Sequence, residues 1–233
     1  MITPQVSPTD GQETLDRLAL VYQHVQTAAE QAGRRMADIT VVAVSKGVDA
    51  ALVGTARLAG QLDFGEARAR DLKARLDHPA LARSRWHFIG QLQRNDVPKV
   101  VGNVAVIYSV DNPELGRAIS DEALRKDRLQ RCFIQVNIDR DPAKAGVEPD
   151  KAADLIARLR TYDGISIQGL TTVGSKQVDP HETYGRLRDL RDDLRARWPE
   201  LIHLSMGMSN DYETAIANGA TVLRVGRAIF GER

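Results

Sequence analysis

Cysteine occurs once in the chain, as Cys132 in an apolar stretch. A lone thiol can form no internal disulfide, so a disulfide scaffold is excluded and a reducing compartment, the cytoplasm, fits. No apolar run approaches membrane-spanning length, and Met1-Ile2-Thr3-Pro4 lacks the basic-then-apolar order of a signal peptide. No basic tract is present either. The net charge is +1 with both signs interspersed, which implies neither nucleic acid nor a membrane as partner. Several catalytic signatures are also missing. There is no H-E-x-x-H and no C-x-x-C, so no metal site is signalled. There is no G-x-S-x-G elbow, and no G-x-G-x-x-G follows the first strand. The string Gly169-Leu170-Thr171-Thr172-Val173-Gly174-Ser175-Lys176 approaches a P-loop, but it has Ser-Lys where Lys-Ser/Thr is required.

What is present is a regular alternation. The 233 residues, 42% of them hydrophobic, suffice for one domain of barrel size. Residues 1–9 carry Pro4 and Pro8 and read as a flexible arm. Over 10–32, Leu15, Leu18, Ala19, Tyr22, Val25 and Ala29 recur at helical spacing, and Gly33 is a stop. Strands are then expected over 39–45, 62–65, 86–89, 104–110, 132–138, 165–171, 201–205 and 221–225, each followed by helical or helix-like sequence. Such alternation implies parallel pairing. Eight units in this length predict an α/β fold, a closed (β/α)8 TIM barrel over 10–233 with one extra helix in front. An open doubly wound sheet is the alternative.

The first strand, Val41-Val42-Ala43-Val44-Ser45-Lys46, is unbroken and apolar yet ends on an amine. A lysine in a desolvated site loses its charge, and the free amine can form a Schiff base with an aldehyde or ketone. A solvated loop residue is the other reading. In a barrel, alternate strand residues point inward and the site lies at the C-terminal strand ends. Lys46 would then rise into the mouth above Val42 and Val44. Arg224 would enter it from strand eight, where a buried guanidinium needs an acceptor. Phe133, Gln135 and Asn137 would share the inner face of strand five, with Cys132 in the core. His87 is either a satisfied core histidine or part of the site. The last two loops suggest an anion site. In 204–211, Gly207 loosens the backbone, Ser209 or Asn210 is a candidate N-cap, and Asn210 with Glu213 resembles a capping box. A helix N-terminus there would favour an anion, beside Arg224-Val225-Gly226-Arg227. A strand-end lysine together with both loops points to a phosphorylated carbonyl ligand.

These residues resemble one family. Ala43-Val44-Ser45-Lys46, Phe64-Gly65-Glu66, Trp86-His87-Phe88-Ile89-Gly90 with Leu92-Gln93, Gln135-Val136-Asn137-Ile138 and Lys144-Ala145-Gly146 all contribute. The strongest strings are Leu204-Ser205-Met206-Gly207-Met208-Ser209 with Asp211, then Arg224-Val225-Gly226 and Ala228-Ile229-Phe230-Gly231. Over nearly everything after the arm, the chain resembles the YggS/PROSC pyridoxal-5′-phosphate homeostasis proteins, whose fold is related to the barrel of alanine racemase. The resemblance implies that Lys46 forms an internal aldimine with the cofactor. Ser209 and the backbone around Met208, Gly226 and Arg227 would hold the phosphate, and Arg224 would face the pyridine nitrogen. His87 and Asn137 are further candidates from the inner face.

The implied role is storage, buffering or delivery of pyridoxal phosphate to client enzymes, without a committed reaction. A monomer is expected, because only 228–233 follow the eighth strand and a second, dimer-forming domain is missing. A racemase-type enzyme is the alternative, and a class I aldolase a more distant one. Three residues depart from the family pattern. Ala67 stands for asparagine, removing any cofactor contact from that side chain. Asp96 stands for lysine, and Arg227 for threonine, which replaces a hydroxyl with a cation at the phosphate.

Overall fold

The computed structural model describes residues 8–232. A leading helix, α1 (Pro8–Gln31), precedes eight strand–helix units. These are β1 (Thr40–Val44) and α2 (Ala50–Leu58), β2 (Asp63–Glu66) and α3 (Ala69–Leu76), then β3 (Arg85–Phe88) and α4 (Val97–Val100). They continue as β4 (Val106–Val110) and α5 (Pro113–Arg125), β5 (Gln130–Gln135) and α6 (Ala152–Leu159), and β6 (Ile165–Thr171) and α7 (Pro180–Arg195). The last are β7 (His203–Ser205) and α8 (Tyr212–Ala217), β8 (Val222–Val225) and α9 (Arg227–Phe230). The strands form one closed barrel in chain order. β1 pairs in parallel with β8 from Thr40↔Val222 to Ala43↔Val225, so the open-sheet alternative is excluded. No described helix is long and apolar enough to cross a membrane.

Local chemistry sets the helix starts. Asp49 accepts from the Ala51 amide to cap α2, and Asn112 from the Leu115 amide to cap α5. Asp179 accepts from the His181 amide to cap α7, and α5 and α7 both open on proline, whose missing N–H has no role there. The larger core lies between the outer strand faces and the helices and includes Cys132, whose thiol pKa burial pushes well up. A small inner cluster of Val42, Val106, Tyr108, Phe133 and Val222 fills the barrel itself. It puts Val42, Phe133 and Val222 on the inner face, as the alternation predicted.

Three expectations need correction. The helix starts at Pro8, so Pro8 and Thr9 belong to α1 and not to an arm; the rest of the expected arm, 1–7, lies outside the described residues. The buried face of α1 is Leu18, Val21, Val25, Ala28 and Ala29, while Ala19 is exposed and Tyr22 reaches sideways to Gln61 Oε1 at 2.7 Å. The helix packs against α2, α8 and α9 at the β8–β1 junction, which selects the stripe one residue round from the expected one. Strand β5 stops at Gln135, three residues early. Val136 instead makes an isolated bridge to Val147, which sends 137–147 out as a folded loop.

Candidate functional site

The chain leaves β1 through a tight turn. The Val48 amide donates to the Ser45 carbonyl at 3.0 Å, and Gly47 takes φ +70°, which a side chain rarely tolerates. Lys46 sits inside this turn. Ser45 beneath it is fully buried. Its hydroxyl donates to Glu66 Oε1 at 2.9 Å. The same oxygen accepts from Arg75 Nε at 3.0 Å, and Arg75 Nη2 donates to the carbonyls of Ser45 at 3.0 Å and Val48 at 2.5 Å. Both ends of the lysine turn are therefore gripped by one buried ion pair. Glu66 Oε2 is buried with no hydrogen-bond partner.

Above the turn opens a cavity of about 720 Å³, within the range of small-molecule sites, roughly 300–1,000 Å³. Val44, Ile89 and Val173 supply apolar wall. Lys46 lines it from β1, and its amine has no hydrogen-bond or ion-pair partner among the described residues. The residue is exposed at the mouth, so the expected desolvation is not found: β1 ends two residues earlier and the turn lifts the lysine out.

Arg224 forms the deep wall. Nη1 donates to Thr171 Oγ1 at 3.0 Å and Ser205 Oγ at 2.5 Å, and Nη2 to the Thr172 carbonyl at 2.7 Å. Burial lowers its pKa from the usual arginine value, against opposing pulls from Tyr184, Tyr108 and Asp211. Ser209 lies across the β7 and β8 loops. Its Oγ accepts from the Gly226 amide at 3.3 Å and the Ala228 amide at 3.2 Å, which leaves its own O–H to donate elsewhere. Exposed Arg227 stands beside it, 3.6 Å from Glu232.

The N-cap of α8 is Asp211, not Ser209 or Asn210, and it caps no helix amide. Its Oδ1 accepts from the Met208 amide at 2.6 Å, and its carboxylate also meets the Tyr184 hydroxyl. Burial, then that carboxylate, pushes the Tyr184 pKa up. Gly207 turns with φ +89°, and a Cβ there would stand 2.6 Å from Ala215 Cβ, so only glycine fits.

The cavity thus brings together Lys46, Met208, Ser209, Arg224, Gly226 and Arg227. His87 and Asn137 are not among its lining residues. His87 is buried one layer down, bonded through Nε2 to Asp63 Oδ1 at 2.9 Å and through Nδ1 to the Tyr108 hydroxyl at 2.8 Å. Both ring nitrogens are thus engaged. Asn137 leaves the barrel with the early end of β5. Its Nδ2 donates to the Asp141 carbonyl at 2.9 Å and its Oδ1 accepts from the Asp141 amide at 3.1 Å. Ala67 and Asp96 line a separate hollow of about 440 Å³, so neither departure touches the Lys46 cavity. Asp211, from the expected anion stretch, also lines it; Tyr184, Thr183 and Lys176 do so without having been singled out for this site, because nothing in a single sequence ties α7 or the β6–α7 loop to Lys46.

Comparison with known proteins bears on this cavity. A family model described as alanine racemase, N-terminal domain, matches residues 15–233. A pyridoxal phosphate homeostasis protein of Aquifex aeolicus is 33% identical over 222 residues, covering 94% of this chain and 97% of that one. The chain belongs to the pyridoxal phosphate homeostasis family. A structure from Bifidobacterium adolescentis, of a protein described as unknown, superposes with TM-score 0.90 at 31% identity over 98% of both chains. PipY of Synechococcus elongatus, solved with pyridoxal phosphate bound, superposes with TM-score 0.78 at 30% identity, covering 89% of this chain and 100% of that one. The barrel closed by β1 and β8 is thus the fold of the family as well as of this chain.

Proposed function

We propose that this chain binds pyridoxal 5′-phosphate and serves its homeostasis, as a store, buffer or delivery protein and not as a committed catalyst. One observation carries the reading. An amine with no partner among the described residues, on a turn gripped by a buried ion pair, shares a single cavity with a hydroxyl and a cation suited to a phosphate. The donor set fits the cofactor. Ser209 O–H, Arg227 and the backbone near Met208 and Gly226 hold the phosphate, while Val44, Ile89 and Val173 flank the ring. When bound, the cofactor supplies an aldehyde carbon, to which Lys46 attaches as a Schiff base. Arg224 faces the ring nitrogen and, being a cation that keeps its proton, leaves that nitrogen unprotonated and the ring a weak electron sink. That favours holding over transforming. The names of the relatives support the same role.

The chain acts in the cytoplasm as a monomer that meets client enzymes transiently. The test is a visible spectrum before and after borohydride, with peptide mapping of the trapped adduct. A visible band lost on reduction, with the adduct on the peptide bearing Lys46, is expected; no band and no adduct would overturn the proposal. A racemase assay on the purified chain separates carrier from enzyme. Robust turnover that disappears in Lys46→Ala would reverse the choice.

A further inference from the structure

Tyr184 stands near the start of α7 and is only 2% exposed, yet it lines the Lys46 cavity. The proposed function leaves its hydroxyl without a role. That hydroxyl donates to the Asp211 carboxylate, which raises the Tyr184 pKa, and the Gly207 backbone meets it and pulls the other way, as an N–H donor does. Asp211 passes the link on. Its Oδ1 accepts from the Met208 amide at 2.6 Å, while the Met208 carbonyl accepts from the Asp211 amide at 3.1 Å and the Tyr212 amide at 3.0 Å. One side chain on α7 thus reaches both ends, Gly207 and Asp211, of the turn that carries Ser209.

Three further features tie that link to a ligand. The helix behind the turn does not hold it: α8 has six residues, and Asp211 caps none of its amides. Ser209 depends on where the turn lies, because its Oγ reaches the Gly226 and Ala228 amides at 3.3 and 3.2 Å, long contacts that a small shift would break. Asp211 lines the same cavity as Ser209 and Arg227, where a phosphate is proposed to sit. A carboxylate repels a phosphate dianion. Its place on that wall is explained by the turn it holds and not by a ligand it touches. The strut itself is anchored, since Thr183 Oγ1, one residue before Tyr184, donates to the buried Asp139 carboxylate at 3.0 and 2.9 Å.

We propose that Tyr184 is a positioning residue for the phosphate side of the cavity: acting through Asp211, it fixes the turn that aims Ser209, and so sets the preference for a phosphorylated pyridine aldehyde over the unphosphorylated one. This rests on the cofactor reading given above and adds a specificity determinant to it. Tyr184 touches no ligand atom in this role. Its effect falls on the part of the ligand that Ser209 meets, and not on the aldehyde that Lys46 meets.

The test titrates the native chain, Tyr184→Phe, Asp211→Asn, Asp211→Ala and the Tyr184→Phe/Asp211→Ala double variant with pyridoxal 5′-phosphate and with pyridoxal. The visible band reports binding, and the ratio of the two affinities is read. Pyridoxal also closes to an internal hemiacetal, equally for every variant, so only changes in the ratio count. Tyr184→Phe keeps the ring and should lower the preference for the phosphorylated ligand about tenfold, the scale of one hydrogen bond to a charged group. Asp211→Ala should lower it at least as far, which keeps the proposal open to refutation where one variant fails to fold. Asp211→Asn retains an oxygen for the Met208 amide and should stay within about threefold of native. The double variant should match Asp211→Ala within about twofold, because both changes cut one link. A ratio unchanged in Tyr184→Phe and Asp211→Ala overturns the proposal, as does an equal loss for both ligands, which is what general loosening of the barrel would give. If the native chain shows no band with pyridoxal 5′-phosphate, the cofactor reading falls and this proposal with it; a native band with unchanged ratios in the variants removes Tyr184 alone.

Discussion

The floor of the barrel and its mouth treat polar side chains in opposite ways. On the floor, Asp63, His87 and Tyr108 are buried and joined end to end, with Arg85 closing the carboxylate from outside at 2.6 Å. Tyr108 then packs edge-on against Phe133, their centroids 4.8 Å apart. At the mouth, Lys46 and Lys176 have no partner among the described residues, and Ser209 has an O–H to give. A buried polar group left unpaired costs about 1–3 kcal/mol, so a floor that only supports the fold pairs everything. A mouth open to water can leave groups free for a ligand. The Glu66–Arg75 pair under Lys46 joins the two regimes: it is buried like the floor, yet it holds the turn that offers the free amine.

The largest expected effect lies on the floor. Phe133→Ala should cost about 4 kcal/mol of unfolding free energy, since it removes a buried aromatic ring from the inner cluster; denaturant titration reads this. Glu66→Ala should cost about 3 kcal/mol by leaving Arg75 buried without its counter-charge. It should also reduce trapping at Lys46, which the fully paired floor residues should not do when changed. Asp63→Asn should cost about 2 kcal/mol at neutral pH.

The acid limb of stability sharpens that third case. Burial raises the Asp63 pKa, but hydrogen bonds from His87 and Arg85 and their charges lower it more, so it ends below the usual carboxylate value. The ionised form is favoured in the folded state. Its stabilisation is complete above the unfolded value, about 3.9, and is lost as pH falls through the lower folded value. Asp63→Asn should therefore flatten the decline of stability below about pH 4. The smallest effect belongs to the mouth. Lys46→Ala should change stability by no more than about 0.5 kcal/mol, because an exposed residue without partners contributes little. A loss as large as that of Asp63→Asn would erase the distinction between floor and mouth.

Much of this was legible in the chain because its signals are local. The β-branched run Val41-Val42-Ala43-Val44 and the caps at Asp49, Asn112 and Asp179 mark elements without reference to the rest of the molecule. Period-two alternation put Val42, Phe133 and Val222 on one inner face. The failures are equally physical. Asn137 continues that alternation on paper, but the Val136–Val147 bridge ends the strand first. His87 shares the inner face, yet depth below the mouth depends on register between strands, with His87 opposite Gly65 and Val106. Lys46 keeps its place in the cavity but not its expected burial, because the turn at Gly47 begins one residue before it.

By itself the sequence determined that eight strands would alternate with helices, that they would pair in parallel, and that an amine, a hydroxyl and two guanidiniums would stand at strand ends. Those features depend on periodicity and on neighbours a few residues away. Only the tertiary structure decided which of them meet. Closure of β8 onto β1 puts Arg224 and Lys46 in one cavity, and the Asp139 tether brings Lys176 to the same wall. Hydrogen bonds between distant segments then decided which groups are held and which remain free, and that division separates a wall of the site from its reactive atoms.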